Sequence, residues 1–170
     1  MRLYLKKILN SVLTFIGVFS KFIELTNPRN RLQKLHSLFN MTIRSPIEQS
    51  VHDLVIQTAF TNLDKVKYDV YINRGNERNT SVSGEYPDII VTGKNEKTVK
   101  WIIEVETSSL LNQSEIIVQW TTYSNLGGIF YILVPKEVRN IAEQICVQNN
   151  IKARFGTYVV NQSNVLITYE

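Results

Sequence analysis

The sequence predicts an α/β fold: a mixed β-sheet flanked by helices, with two extra helices at the N-terminus. Three observations predict it. Along residues 46–170 the apolar pattern switches between helical and strand periods, in the order helix, three strands, helix, strand, helix, two strands. Ile129–Val134 is a continuous apolar run between Gly128 and Pro135, the pattern of a strand buried on both faces. Residues 85–93 and 99–107 read as two strands joined by the polar turn 94–98, and they carry acids among apolar neighbours.

At 170 residues, with 44% apolar and 20% charged residues, the chain is long enough for one domain with a core. The single cysteine, Cys146, excludes an intrachain disulfide framework and a cysteine-only zinc site. It fits a reducing compartment, and a cytoplasmic location is expected. Charge divides the chain. Residues 1–45 carry eight Lys and Arg against one acid, Glu24, whereas the remainder carries eleven bases against fourteen acids. A basic N-terminal helical extension (1–45) therefore precedes a slightly acidic domain (46–170). Such an extension suits an anionic partner, nucleic acid or a membrane surface.

The elements follow in order. Arg2, Lys6 and Lys7 ahead of the apolar stretch Ile8–Phe19 resemble a signal peptide, but Asn10, Ser11 and Thr14 interrupt the run. The stretch is also shorter than the ~20 residues that span a bilayer. Leu5, Ile8, Leu9, Val12, Phe15, Ile16 and Phe19 keep helical spacing, so an amphipathic helix is expected. It docks on the domain, or residues 1–25 lie on a membrane surface or a partner. Asn27-Pro28 starts a second helix, and Ser45-Pro46 starts a third in the same way. On the third, Ile47, Val51, Leu54, Val55, Thr58 and Ala59 form the expected core stripe, and Glu48 lies in the first turn, where the helix dipole favours an acid.

Val66–Asn73 alternates as a strand, with Val66, Tyr68, Val70 and Ile72 on one side. Polar residues 74–84 form a loop. After the paired strands, residues 111–126 read as a helix with Ile116, Ile117, Trp120 and Tyr123 inward, closed by Gly127-Gly128. Residues 137–149 read as a helix with Val138, Ile141, Ala142, Ile145 and Cys146 inward. Strands near 153–160 and 165–169 complete the chain. His36 and His52 fall on helices and are read as structural.

Asp88, Glu104 and Glu106 carry the chemistry. Side chains alternate along a strand, so Glu104 and Glu106 share a face with Ile102 and Lys100, and Trp101, Ile103 and Val105 take the other. In a hairpin turning at 93–98, Asp88 comes level with residues 103–105. Strands ~4.8 Å apart place such carboxylates around one ion. Without a cation they repel and raise one another's pKa. Oxygen ligands suit Mg²⁺ or Mn²⁺, which polarises a phosphoryl oxygen and acidifies bound water.

Pro87-Asp88 followed by Glu104-Val105-Glu106 resembles the PD-(D/E)XK nuclease superfamily. The resemblance covers roughly residues 46–135 and implies a restriction endonuclease-like αβββαβ core. It also implies Mg²⁺- or Mn²⁺-dependent hydrolysis of phosphodiester bonds, most directly in DNA. An acid on the first core helix recurs in that superfamily, and Glu48 falls there. Some branches carry a Gln and a Tyr on the helix after the motif, and Gln119-Trp120-Thr121-Thr122-Tyr123 has that form. The usual last residue is Lys, whereas this chain has Glu106, a variant that some restriction endonucleases share. The implied metal ligands are Asp88, Glu104 and Glu106, with Glu48 and Gln119 completing the catalytic set.

Lys94, Lys97 and Lys100 around the hairpin, with Arg29, Arg31, Lys34 and Tyr123, are the expected nucleic-acid contacts. Lys100 stands ~13 Å along the strand from Glu104, within reach of a phosphate rather than of the attacking water. Cutting both strands of a duplex would favour a homodimer. The rival reading is a non-catalytic module on the same fold that binds nucleic acid or protein, motivated by the missing lysine.

Overall fold

Ser45 starts the first described helix. Its Oγ accepts from Glu48 N–H at 3.2 Å, and its own N–H donates to Glu48 Oε2 at 3.1 Å. This reciprocal cap satisfies donors that the first turn leaves open, and Pro46 has no N–H there to lose. The structure, a computed structural model, describes residues 44–170 apart from 76, 111–113 and 163. The helices predicted within residues 1–43, with Arg29, Arg31, Lys34 and His36, lie outside the described residues.

Helix α1 (Pro46–Asn62) buries His52, Val55, Ile56 and Ala59, one face at i, i+3, i+4 and i+7. Six strands follow: β1 (Tyr68–Ile72), β2 (Ile89–Gly93), β3 (Val99–Val105), β4 (Ile129–Pro135), β5 (Arg154–Asn161) and β6 (Asn164–Tyr169). They form one sheet in the order β1-β2-β3-β4-β5-β6. The first three strands pair antiparallel, β3-β4 and β4-β5 pair parallel, and β6 returns antiparallel. The sheet is therefore mixed, as the sequence predicts. Helices α2 (Ser114–Tyr123) and α3 (Arg139–Gln148) make the two parallel crossovers.

The two faces of the sheet carry separate cores. Val55, Ile56 and Ala59 of α1 pack on Ile89, Val91, Ile103, Val105 and Leu133. On the opposite face, Ile116, Trp120 and Tyr123 of α2 and Ala142 and Cys146 of α3 pack on Ile102, Phe130, Ile132 and Phe155. Alternation on β3 thus falls as predicted: Ile103 and Val105 face α1, and Ile102 faces α2. Every residue of β2 is buried. Two cores and two crossovers leave the centre of the sheet no solvent-facing side.

Three residues predicted to be buried are exposed instead: Ile47, Ile129 and Ile141. Each lies in the first turn of its helix or at the start of its strand. Periodicity gives the direction of a side chain but not how far the surface beneath it extends. The hairpin also departs from simple alternation. Its register shifts between Val91, opposite Trp101, and Thr92, opposite Val99, so Lys100 is the extra residue of a bulge.

Candidate metal centre

Ile89 is paired with Ile103, so Asp88, one residue earlier, lies level with Glu104. The contact is direct: Asp88 N donates to Glu104 Oε2 at 3.2 Å. Asp88, Glu104 and Glu106 are 8%, 4% and 2% exposed, so all three acids are buried at one end of the sheet. The predicted juxtaposition of Asp88 and Glu104 is present.

Each carboxylate is held by named donors. Asp88 Oδ2 accepts from Val105 N at 2.8 Å and contacts His52 Nε2 at 3.1 Å. Glu104 Oε1 accepts from Gln119 Nε2 at 2.9 Å, and that amide also reaches Tyr123 Oη at 3.2 Å. Glu106 Oε1 accepts from the Trp120 indole N–H at 3.1 Å, and its Oε2 lies 3.6 Å from Arg44 Nη2. Three elements position these donors: α1 brings His52, α2 brings Gln119 and Trp120, and the residue ahead of the α1 cap brings Arg44. The α2 partners follow from helical spacing, since 119, 120 and 123 share one side of the helix above β3.

The acids outnumber the cations that touch them. Burial, then the charges of Asp88 and Glu106, push the Glu104 carboxyl well above its ordinary range. Burial also raises Glu106, to about 7; Arg44 and the Trp120 hydrogen bond oppose that rise. Burial alone would lower the His52 imidazole, but the Asp88 charge and hydrogen bond outweigh it and the net shift is upward. Burial and the Glu104 charge push the Tyr123 phenol upward, so it stays a neutral hydrogen-bonding group.

Hard oxygen donors with surplus negative charge fit Mg²⁺ or Mn²⁺. Asp88 Oδ1 takes no hydrogen bond among the described residues, and the Asp88 side chain, 11% exposed, is the most open of the three. Asp88 and Glu104 are the pair that could hold an ion. Glu106 leans away, towards Trp120 and Arg44. In keeping with that, among the described residues no group of three or more His, Cys, Asp or Glu stands in a metal-holding arrangement.

The other predicted residues divide. Gln119 joins the site, whereas Tyr123, expected as a nucleic-acid contact, is buried in the α2 core and reaches the site only through Gln119. Glu48 spends its carboxylate on the Ser45 cap, and the hydrogen bonds of Ser109 and Ser45 hold its pKa below the ordinary value. It lines a separate cavity of ≈ 290 Å³ with Val51, Thr107, Tyr158 and Val160. Lys94 pairs with Asp69 at 2.7 Å and Lys100 with Glu96 at 3.1 Å. With exposed Lys97 they lie at the turn end of β2 and β3, whereas Asp88 and Glu104 lie at the other end.

Sequence reading passes over three residues of the site. Arg44 is counted there with the N-terminal basic extension, His52 as structural and Trp120 as core. The last reading is right about packing but leaves out the indole N–H, which needs an acceptor when buried. A signal for His52 exists: it is a polar side chain in the middle of an otherwise apolar α1 face. No signal marks Arg44, because a 61-residue separation joins it to the Val105 carbonyl, 3.5 Å away.

Comparisons with protein-family models, with curated proteins and with solved structures find no match for this chain. Among the described residues no helix is long and apolar enough to cross a membrane.

Proposed function

We propose that the chain is a divalent-metal-dependent phosphodiesterase of restriction endonuclease-like architecture that acts on nucleic acid, DNA in the first instance. The observation that carries this reading is the buried Asp88–Glu104 contact, with Glu106 nearby and too few cations to neutralise the set. Three antiparallel strands followed by a helix and a parallel strand, all after α1, are compatible with the αβββαβ order that the sequence motif implies.

Asp88 and Glu104 would hold Mg²⁺ or Mn²⁺. The bound ion would polarise a phosphoryl oxygen and make water a better nucleophile. The protein's own groups do the rest. His52 and Val105 N–H fix Asp88 Oδ2, and Oδ1 is left without a hydrogen bond among the described residues. Gln119 holds Glu104 through one amide N–H and reaches Tyr123 Oη with the other, so it would orient the Glu104 carboxylate for the ion. Glu106 would serve as base towards the attacking water, or as a further ligand, on turning from Trp120 and Arg44.

Purified protein should cleave DNA with Mg²⁺ or Mn²⁺ and not in EDTA. Asp88→Asn, which keeps an acceptor for Val105 N–H, should lose cleavage while keeping its circular dichroism spectrum. Metal-independent cleavage, or full activity in Asp88→Asn, would refute the reading.

Two observations favour a second reading, a non-catalytic module. Arg44 already contacts Glu106, and no described set of three ligands is arranged for a metal. Calorimetric titration with Mn²⁺ separates the two: no binding heat and an unchanged thermal midpoint favour the module.

A further inference from the structure

The loop between β1 and β2 leads directly into Asp88, and its described residues are tied together by one buried amide. Asn73, 3% exposed, pins it from within. Its Nδ2 donates to the Thr80 and Pro87 carbonyls at 2.8 and 2.7 Å, and its Oδ1 accepts from Asn79 N and Thr80 N at 2.9 and 3.0 Å. Val82 and Glu85 then close a tight turn on each other through paired backbone bonds of 2.9 and 3.0 Å. Ser83 and Gly84, between them, have φ of 53° and 86°, the left-handed pair that a two-residue hairpin turn requires. The returning arm presents Glu85 and Tyr86. Tyr86 and Asp88 are two residues apart on this arm, so the aromatic ring stands beside the acid.

Tyr86 is a large aromatic, 36% exposed, two residues from a buried acid. The Arg78 guanidinium lies over its ring, 5.2 Å from the centroid. The pair has no core to serve: both residues are exposed. The cations at the far end of the hairpin, Lys94 and Lys100, are neutralised by Asp69 and Glu96. Arg78 instead lies on an aromatic face. A flat ring with a guanidinium across it is a surface on which a nucleobase stacks, because every base offers a π-face and the cation adds attraction to the adjoining phosphate.

We propose that Tyr86 and Arg78 form a stacking platform for one unpaired nucleobase beside Asp88, so that the substrate is single-stranded or locally opened nucleic acid rather than intact duplex. This rests on the nuclease reading and narrows its substrate. A base in a closed duplex is already stacked on both faces and cannot reach the ring without leaving its stack. The four Asn73 hydrogen bonds matter here: an arm already tied in place loses little freedom when a base lands on it.

The test is binding of a fluorescein-labelled single strand by the full chain, followed by anisotropy in EDTA to hold turnover off. Tyr86→Leu should weaken binding about tenfold, the loss of one base–aromatic stack. Tyr86→Phe and Tyr86→Trp should bind as the unaltered chain does. Arg78→Gln should lower the slope of log K against log[salt] by about 0.7, one phosphate contact on a single strand. A duplex of the same sequence should bind more weakly and respond little to Tyr86→Leu. Unaltered binding by Tyr86→Leu, or equal losses for single strand and duplex, would overturn the platform and leave the nuclease reading standing. An unaltered chain that neither binds nor cuts any nucleic acid would overturn both.

Discussion

The substitution Glu106→Gln should change how stability depends on pH. In the folded chain burial raises this carboxyl from 4.5 to about 7. The unfolded chain protonates it only below its ordinary value. Between the two, the native state holds a proton that the unfolded state lacks, so stability falls as pH rises. The contribution is fully present below pH 4.5, is lost as pH passes through 7, and totals about 3 kcal/mol. Integrated from about pH 5.5 to about pH 8, the loss is about 2 kcal/mol. The amide in Glu106→Gln would keep an oxygen for the Trp120 indole N–H but would not titrate. The variant should therefore gain about 2 kcal/mol on the unaltered chain between those two pH values. Removing the charge also relieves Glu104, which shifts the difference the same way. The Arg44 contact is already contained in the folded value of about 7, which it holds down, so it adds no separate slope. The assay is urea unfolding in EDTA at both pH values, followed by tryptophan fluorescence. Parallel pH profiles for the two proteins would refute the assignment of a buried, titrating carboxylate at 106.

Three further substitutions probe the same neighbourhood. Arg44→Ala takes the guanidinium from a buried carboxylate and should cost about 1–3 kcal/mol near pH 8 and much less near pH 5, where Glu106 is protonated; equal losses at both pH values in urea unfolding would sink the pairing. Trp120→Phe keeps most of the ring packing but leaves Glu106 Oε1 without its 3.1 Å donor. It should destabilise by about 1–3 kcal/mol and move the titration step of the stability profile to higher pH; a step left in place would contradict the bond. Asn73→Ala strips four bonds from the 74–87 loop and should cost on the order of 3 kcal/mol, with new proteolytic cleavage confined to that loop; a protected loop would show that Asn73 is not what holds it.

Much of this was legible in the sequence because it is local. Ser45-Pro46 with Glu48 is a helix start at any place in any chain, and the cap is present. Alternation along residues 99–105 divides Ile102 from Ile103 and Val105 before any partner is known, and the two cores divide them the same way. The short polar turn at 94–98 brings Asp88 level with Glu104, and Gln119 and Tyr123 share a helix side by spacing alone. Where the reading slipped, the missing quantity was extent or partnership. Ile47, Ile129 and Ile141 lie where their pattern says, but at the edge of the core, and stay exposed. The bulge at Lys100 takes that lysine out of a simple two-residue count.

The sequence by itself determined the elements, the mixed sheet and the clustering of Asp88, Glu104 and Glu106, since these depend on periods and short turns. Only the tertiary structure decided what surrounds the acids: His52 against Asp88, Trp120 and Arg44 against Glu106, and Lys94 and Lys100 paired at the other end of the hairpin. A carboxylate's desolvation and its donors come from elements 14 or more residues away, and the pairing of donor with acceptor is set by how those elements pack. The same separation sets the pKa of Glu106, because burial is a property of the packed fold and not of the residue.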